Sequence, residues 1–343
     1  MSRPLKSAKS FTMKHAHVVI PDLFLLQTIA KEVCADFHLP VLEKFLARSS
    51  VQQLQAHSLE AWLCETFAVP EMAIAPVTLM ADGLLADEAY WMRADPVHMR
   101  LDNARMILQT NVTLNIEEAQ HLCESLNQYF SGSGMRFVAP HPQRWYVRLE
   151  EDPQLTTRST YQVEGRDSRL YIPKGNAALK WHGVMNEIQM LLYGHPIGQA
   201  CEARGGLPVN SIWLWGGGRA VPLTQPFTQI VSDSELAKAF AHVSKITHSL
   251  LLEDTVMGEN TLYIWEGASV ALRRGDLYAW RQSVQRCEHV ILAPLLKALS
   301  AGLLNKITID ILQEDNSSRM ELNRAMLWKF WKRPRSLANY ALV

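Results

Sequence analysis

The sequence has no net charge, no closely spaced cysteine pair and no long apolar run. Its 34 basic and 34 acidic side chains cancel at neutral pH, so the bulk charge gives no reason to expect a nucleic-acid or membrane partner. No stretch reaches the roughly 20 apolar residues that a membrane-spanning helix needs. The basic start of the chain is not followed by a signal-peptide apolar region. We therefore expect a cytoplasmic protein, with residues 1–14 as a disordered leader.

Cysteine is sparse and scattered along the chain. The five cysteines are an odd number and include no Cys-x-x-Cys pair, which indicates reduced thiols and excludes a disulfide-based scaffold. Low-complexity tracts and internal repeats are also lacking. Apolar residues make up 48% of the 343 positions and charged residues 20%, as expected for a chain with one large globular domain or two ordinary ones.

The most unusual string is VNSIWLWGGGRAVPL, residues 209–223. Its bulky apolar run has no helical spacing and predicts a strand buried on both faces of a parallel sheet. Gly216, Gly217 and Gly218 would let the backbone turn sharply or approach a ligand, and Arg219 could bind phosphate or carboxylate. Ligands collect at the carboxyl ends of such strands. The alternative is a tight exit from the strand with a solvated arginine.

Another candidate site follows the first predicted strand. The β-branched run Val18–Ile20 ends at Pro21, and Asp22 then stands at the carboxyl end of the strand, where a carboxylate could bind a metal or ligand. The same aspartate could equally cap the next helix.

The middle of the chain changes from α/β to α+β character. Residues 115–130 predict a helix with a capping box, and residues 135–151 predict two strands joined by a turn at His141–Pro142. His98 and Arg144 lie in this part and could contact a phosphate, although a structural histidine and a scattered arginine surface are the alternatives.

Two features stand out in the last third. Residues 275–302 predict a long helix that Pro294 kinks or breaks. Residues 326–336, MLWKFWKRPRS, interleave basic and aromatic side chains, which is typical of a nucleic-acid or anionic-lipid contact. Because the rest of the chain is neutral, we favour the alternative that these tryptophans dock the segment on the core.

The order of these segments resembles the archaeal-type cofactor-independent phosphoglycerate mutases of the alkaline phosphatase superfamily. The most specific match is to the family string Asn-Ala-Ile-Trp-Leu-Trp-Gly-Gln-Gly, which residues 210–218 share at seven positions. The chain is most similar to a bacterial branch labelled phosphoglycerate mutase or RpfE-type regulatory protein. The resemblance implies an α/β, alkaline-phosphatase-like core with a mostly parallel sheet (residues 15–90 and 205–343), interrupted by an α+β cap domain (residues 91–204).

In that family a serine accepts the phosphoryl group between two divalent metal ions held by Asp and His. By resemblance, Asp22 is the first metal ligand and Ser58 lies near the position of the nucleophile. The surrounding pattern departs from the family, since Leu59 replaces its Asp and Trp62 its Asn, so Ser58 is also a candidate helix N-cap.

The histidine ligands expected by resemblance are missing. Residues 266–270 contain no histidine, Asp315-Asn316 replaces the Asp-His pair, and no histidine follows His289. Carboxylates alone would leave a weak site for such metals. Asp22 and Asp315 could still hold Mg²⁺ or Mn²⁺ if catalysis survives, but we expect no cofactor.

The sequence therefore predicts a phosphoglycerate-mutase-like protein with a degenerate metal centre, acting as a ligand-binding or regulatory protein. Its partner would be a phosphorylated small molecule or another protein, and not a membrane or nucleic acid. An active 2,3-bisphosphoglycerate-independent phosphoglycerate mutase, or a related phosphatase with rearranged ligands, is the alternative. A third interpretation is a regulatory interaction protein that uses the 326–343 tail.

Overall fold

The computed structural model describes residues 14–251 and 258–341, so the predicted leader lies outside the described residues except for Lys14. The strands are β1 His15–Pro21, β2 Ser50–Gln53, β3 Tyr90–Asp102, β4 Arg105–Gln109, β5 Met135–His141, β6 Arg144–Leu149, β7 Leu155–Thr156, β8 Lys174–Gly175, β9 Ser211–Gly218, β10 Gln229–Ser232, β11 Thr247–Ser249, β12 Asn260–Ile264, β13 Lys306–Leu312 and β14 Ser318–Asn323. The helices are α1 Gln27–Val33, α2 Pro40–Arg48, α3 Leu59–Phe67, α4 Ile74–Ala81, α5 Ile116–Tyr129, α6 Thr160–Val163, α7 Ala178–Tyr193, α8 Pro196–Ala203, α9 Glu235–Ser244, α10 Gly267–Arg273, α11 Leu277–Cys287 and α12 Ala293–Ser300.

The larger sheet has seven strands in the order β11-β10-β12-β1-β13-β14-β2. The first five run parallel to one another, whereas β14 is antiparallel to both of its neighbours. The predicted first strand lies near the centre of this sheet, as its β-branched, fully buried residues require.

Helices cover both faces of this sheet. Along β1, Val18 and Ile20 face one hydrophobic cluster, which contains residues of α1, α2 and α10 to α12. Val19 faces the other cluster, which contains residues of α3, α4 and α9. Because successive side chains of a strand point to opposite faces, this alternation shows that the sheet is the middle layer of three.

The smaller sheet is antiparallel, with the order β4-β3-β6-β5, and β9 pairs with the opposite edge of β3. Side chains from α5 and α7 pack on it in a separate hydrophobic cluster. The predicted capping box is present, since Asn115 and Glu118 each accept a hydrogen bond from the other's backbone N–H. The two predicted strands around His141–Pro142 are β5 and β6, which confirms that part of the prediction.

The interpretation of residues 212–215 as a strand of the parallel sheet is wrong. β9 pairs antiparallel with β3 in the smaller sheet. It is buried on both faces because Trp213 and Trp215 pack into the cluster of the larger sheet, whereas Ile212 and Leu214 pack into that of the smaller one. The predicted cap limits, residues 91–204, stay a prediction, but the sheet that contains β3 also includes β9.

The predicted effect of Pro294 is confirmed. Instead of one long helix, α11 ends at Cys287, a π-helical turn spans Glu288–Leu292, and α12 begins with Pro294 in its first turn. Proline cannot donate the backbone hydrogen bond that a continuous α-helix would need at this point.

Among the helices of residues 14–251 and 258–341, none combines the length and the apolar character required to cross a membrane.

Candidate functional site

A cleft of about 440 Å³ lies at the carboxyl ends of β1, β12 and β13, where parallel sheets usually bind ligands. Asp22 follows β1, Ser58 precedes α3, and Asp315 lies in the turn after β13, and all three line this cleft. The structure therefore brings together the predicted metal ligands and the predicted nucleophile, although their chemical roles stay a prediction.

Asp22 is held by neighbouring side chains. Its backbone has a φ of 54°, in the left-handed region, and its N–H donates to the carbonyl of Leu312 at 2.9 Å. The hydroxyl of Ser269 donates to Oδ2 of Asp22 at 2.5 Å, and Nη1 of Arg273 donates to the same hydroxyl at 3.0 Å. The carboxylate thus has a serine and, one step away, a guanidinium as its polar neighbours.

Ser58 is the N-cap of α3. Its Oγ accepts a hydrogen bond of 3.2 Å from the backbone N–H of Ala61, which satisfies one of the unpaired donors at the start of the helix. The cap role predicted as the alternative is therefore present. Trp62, at the position where the family has Asn, is buried and donates from Nε1 to Asp310 at 2.6 Å instead of lining the cleft.

The residues of the cleft do not fit a two-metal centre. Within the described part of the chain, no three or more side chains of His, Cys, Asp and Glu are grouped so that they could hold a metal ion. Asp315 is exposed, and Asp22 already accepts from Ser269. Two-metal phosphoryl chemistry requires several protein ligands around each ion, which this arrangement does not supply.

Two ion pairs lie in the cleft lining. Nη1 of Arg166 lies 2.8 Å from Oε2 of Glu314, and Nε of Arg273 lies 3.7 Å from Oε2 of Glu164. Glu60 is buried and accepts a hydrogen bond from Ser159. The two ion pairs thus involve two of the six carboxylates that line the cleft, alongside two of its three arginines.

Two further groups affect how the cleft would receive an anion. Burial raises the pKa of Glu266, which favours its neutral form and is only partly offset by a hydrogen bond from Ser234 and the charge of Arg273. The exposed side chain of Arg158 also lines the cleft, and no salt bridge within residues 14–251 and 258–341 involves it.

The other predicted ligand-binding residues lie elsewhere. Arg144 lines a second cavity of about 400 Å³ and pairs with Asp82 through Nη2 at 2.6 Å. Nδ1 of His98 is 2.9 Å from the carbonyl of Pro208. Arg219 is exposed and donates to the carbonyl of Glu88. None of these three arginine and histidine side chains lines the Asp22 cleft in the described structure.

The three glycines of β9 also lie away from that cleft. A Cβ on Gly218 would be 2.2 Å from Cβ of Ala73, and one on Gly217 would be 2.7 Å from the ring of Tyr90. Gly216 has a φ of 62° and faces Ile74. The glycines therefore allow close packing of β9 against the start of α4 and its own sheet, and their predicted contact with a ligand stays a prediction.

Sequence reasoning missed Ser269 and Arg273. They lie four residues apart on α10 and so project from the same side of the helix. The sequence offers a clue to Ser269, because this residue lies within the segment 266–270, where the family resemblance predicts a metal-binding histidine. An arginine one turn later is the complement that an unmetallated carboxylate would need.

Comparisons with known proteins give a partial sequence match. No protein-family model matches the chain. A probable 2,3-bisphosphoglycerate-independent phosphoglycerate mutase of Geobacter sulfurreducens is 35% identical over 66 residues, which are 19% of this chain and 16% of that protein. A 2,3-bisphosphoglycerate-independent phosphoglycerate mutase of Methanosarcina acetivorans is 25% identical over 123 residues, which are 35% of this chain and 31% of that protein. The matched segments thus span less than a third of each curated relative.

The structural match is more extensive. The structure of the PH0037 protein from Pyrococcus horikoshii superimposes with a TM-score of 0.54 at 12% identity, covering 91% of this chain and 87% of that one. A cofactor-independent phosphoglycerate mutase from Thermoplasma acidophilum superimposes with a TM-score of 0.48 at 10% identity, covering 95% of this chain and 94% of that one. The nearer likeness to an RpfE-type branch stays a prediction. The predicted fold class is confirmed: the chain has an alkaline-phosphatase-like α/β fold, and part of its sequence is similar to cofactor-independent phosphoglycerate mutases.

Proposed function

We propose that this phosphoglycerate-mutase-like protein binds a phosphorylated small molecule in the Asp22 cleft without two-metal phosphoryl transfer, and acts as a ligand-binding or regulatory protein. The observation that carries the proposal is the hydrogen-bonded series Arg273–Ser269–Asp22, with distances of 3.0 and 2.5 Å. It places a guanidinium one hydroxyl away from the carboxylate that, by resemblance, would bind a metal ion.

A metal ion at Oδ2 of Asp22 would have to displace the hydroxyl of Ser269. It would gain few ligands in return, since the described residues offer no cluster of three or more suitable side chains. The guanidinium of Arg273 is always charged and stays near the carboxylate at any physiological pH, whatever metal is available. Without metal activation a serine hydroxyl such as that of Ser58 is a weak nucleophile.

Binding of a phosphate needs a cation that is free to form charge-assisted hydrogen bonds. Arg158 fits this requirement, because its side chain is exposed at the cleft and is in no salt bridge within the described ranges. Guanidinium groups bind phosphate in a bidentate manner, so Arg158 would provide most of the affinity.

The alternative is an active mutase or phosphatase with rearranged ligands. It is favoured by the sequence similarity to 2,3-bisphosphoglycerate-independent phosphoglycerate mutases and by the presence of Asp22, Ser58 and Asp315 in one cleft. Metal ions would then be bound by side chains that rearrange around Asp22 when the metal enters.

Calorimetry and a coupled mutase assay distinguish the two. We expect 3-phosphoglycerate to bind the chelator-treated protein with similar affinity with and without Mn²⁺, and no turnover in either condition. Arg158→Ala should weaken binding about tenfold or more, since a charge-assisted hydrogen bond is lost. The exposed Arg105→Ala serves as the matched control and should bind as the unaltered protein does. Turnover that requires Mn²⁺ and disappears in Asp22→Ala would refute the proposal and establish the alternative.

A further inference from the structure

The segment Arg324–Tyr340 carries an exposed cluster of aromatic side chains. Trp328, Phe330 and Trp331 are 75%, 76% and 67% exposed, so the predicted docking of these tryptophans on the core is wrong. The rings of Phe330 and Trp331 are in edge contact, with centroids 5.3 Å apart. Together the three side chains present an apolar surface to solvent, which is unusual for such large groups.

The exposure is selective. The sequence has ten tryptophans, and all lie in the described ranges. The eight that are buried are Trp62, Trp91, Trp145, Trp181, Trp213, Trp215, Trp265 and Trp280. The two exposed tryptophans, Trp328 and Trp331, are therefore only three positions apart, and every other tryptophan is buried.

The cluster is held in place from both sides. Before it, Arg48 donates to the carbonyl of Leu327, which packs against the main core. After it, Leu337 is buried, and the ring of Tyr340 stacks on Phe24 with centroids 6.0 Å apart. The segment thus returns to the core and does not hang free as a terminal tail.

Backbone hydrogen bonds fold the cluster itself into consecutive turns. The N–H of Lys329 donates to the carbonyl of Met326 at 3.1 Å, that of Phe330 to Trp328 at 2.8 Å, and that of Lys332 to Lys329 at 3.0 Å. The aromatic rings are therefore presented before any partner arrives, which reduces the entropy cost of binding.

All charges of this segment have one sign. Between Arg324 and Tyr340 the chain has five basic residues and no acidic one, although the whole chain is neutral. The basic residues are Arg324, Lys329, Lys332, Arg333 and Arg335. No salt bridge of residues 14–251 and 258–341 includes any of them. The segment is complementary to an anionic surface.

From this combination we propose that the Arg324–Tyr340 segment binds anionic lipid surfaces, with the three aromatic rings entering the headgroup region and the basic side chains contacting lipid phosphates. Tryptophan favours the interface between water and lipid, and each adjacent basic residue strengthens attachment to an anionic leaflet. This surface lies on a different part of the chain from the Asp22 cleft and needs no activity there.

Two other occupants fit less well. The N-terminal residues 1–13, which lie outside the described ranges, include Arg3, Lys6 and Lys9 and no acidic side chain, so they would be repelled by the basic segment. Single-stranded nucleic acid also combines negative charge with stacking, but it uses a groove along which successive bases lie. Here the basic and aromatic residues are mixed within the short stretch of residues 328–335.

Vesicle flotation tests the proposal with the full chain. We expect binding to vesicles with about a quarter phosphatidylglycerol to exceed binding to pure phosphatidylcholine about tenfold, and to fall as salt rises. The double variants Trp328→Ala/Trp331→Ala and Lys329→Glu/Lys332→Glu should each lose most of this binding. Their matched controls are Tyr193→Ala/Tyr278→Ala and Lys174→Glu/Lys180→Glu, which make the same kinds of change at exposed residues elsewhere and should bind normally.

Fluorescence gives a second measurement, whose first part uses the unaltered protein alone. Brominated lipids should quench part of the tryptophan emission of the unaltered protein, and this quenching should vanish in Trp328→Ala/Trp331→Ala. Binding to vesicles by both double variants at the unaltered level would overturn the proposal. Failure to bind anionic vesicles, together with tight binding of a labelled single-stranded oligonucleotide or formation of a dimer, would overturn it as well.

Discussion

The indole Nε1 of Trp62 donates a hydrogen bond of 2.6 Å to Oδ2 of Asp310. This bond connects α3, which begins next to Ser58, to the centre of β13. Asp310 is fully buried and also accepts from Arg319 at 2.7 and 2.8 Å, and lies 2.8 Å from Nε2 of His17. One buried carboxylate therefore fixes the helix that forms a wall of the cleft relative to the sheet beneath it.

Asp310→Ala should be strongly destabilising. It would leave the buried His17 and Trp62 and the partly exposed Arg319 without their shared partner, and such losses cost about 3–5 kcal/mol. Urea denaturation measures the free energy of unfolding. The control is Asp102→Ala, whose partner Arg100 lies 3.9 Å away at the surface and which should change that free energy by less than about 0.5 kcal/mol. Equal effects of the two substitutions would contradict the assigned role of Asp310.

Stability should also fall in acid because of this residue. Burial alone would raise the pKa of Asp310, but hydrogen bonds from Arg319 and His17 outweigh it and lower the pKa from 3.8 to about 2. A carboxyl whose folded-state pKa is depressed stabilises the folded state above its unfolded pKa, and loses this contribution as the pH falls toward the folded value. We expect about 2 kcal/mol of unfolding free energy to be lost between pH 5 and pH 2.

Measurement of the unfolding free energy across this pH range, in the unaltered protein and in Asp310→Asn, checks the pH prediction. The variant should show a flatter profile below pH 4, because its side chain cannot titrate. Parallel profiles would show that other carboxyl groups cause the acid sensitivity.

Gly218→Ala should destabilise the fold, since the new Cβ would be 2.2 Å from Cβ and 3.0 Å from Cα of Ala73. Overpacking of this kind costs about 1–3 kcal/mol. Gly183→Ala is the matched control: this glycine lies in α7 with no atom within 4 Å of the added Cβ, and the change should stabilise by about 0.5–1 kcal/mol. Thermal melting compares the stability of the two variants. An unchanged melting temperature in Gly218→Ala would show that β9 does not pack on α4 as described.

Tyr146→Phe tests the contact between β6 and the end of α4. The phenol of Tyr146 donates to Oδ2 of Asp82 at 2.6 Å, beside the bidentate contact from Arg144. Its loss should reduce the unfolding free energy by about 1–2 kcal/mol. Tyr129→Phe, at a ring that is 54% exposed, should have almost no effect in the same denaturation experiment.

Local patterns predicted the local structure well. The capping box at Asn115, the turn at His141–Pro142 and the helix break before Pro294 all depend on residues close together in sequence, and the structure has each of them. The partners of a strand are not specified in this way. A run that is buried on both faces looks the same in either sheet type, so only the pairing with β3 shows that β9 is antiparallel.

Only some residues of the candidate site could be predicted, because several of its contacts join residues that are far apart in the sequence. Asp22 was predicted from its place at the end of the first strand and Asp315 from the family resemblance, and the structure places both in one cleft. The contact between Ser269 and Asp22 joins residues 247 positions apart and depends on the course of α10. Arg219 was a candidate because it follows the glycine-rich strand, and Arg144 because it is a cation in the predicted cap, and the structure gives both of them partners outside the cleft.

The pairing of Trp91 with Gly218 has a topological consequence. The chain enters the smaller sheet through one of these residues and leaves it through the other, so entry and exit lie on adjacent strands about 5 Å apart. The intervening 126 positions therefore begin and end at neighbouring points, although Trp213 and Trp215 among them also pack into the core of the larger sheet. A bridge of a few residues across this gap would close the remaining polypeptide without stretching any strand of the seven-stranded layer.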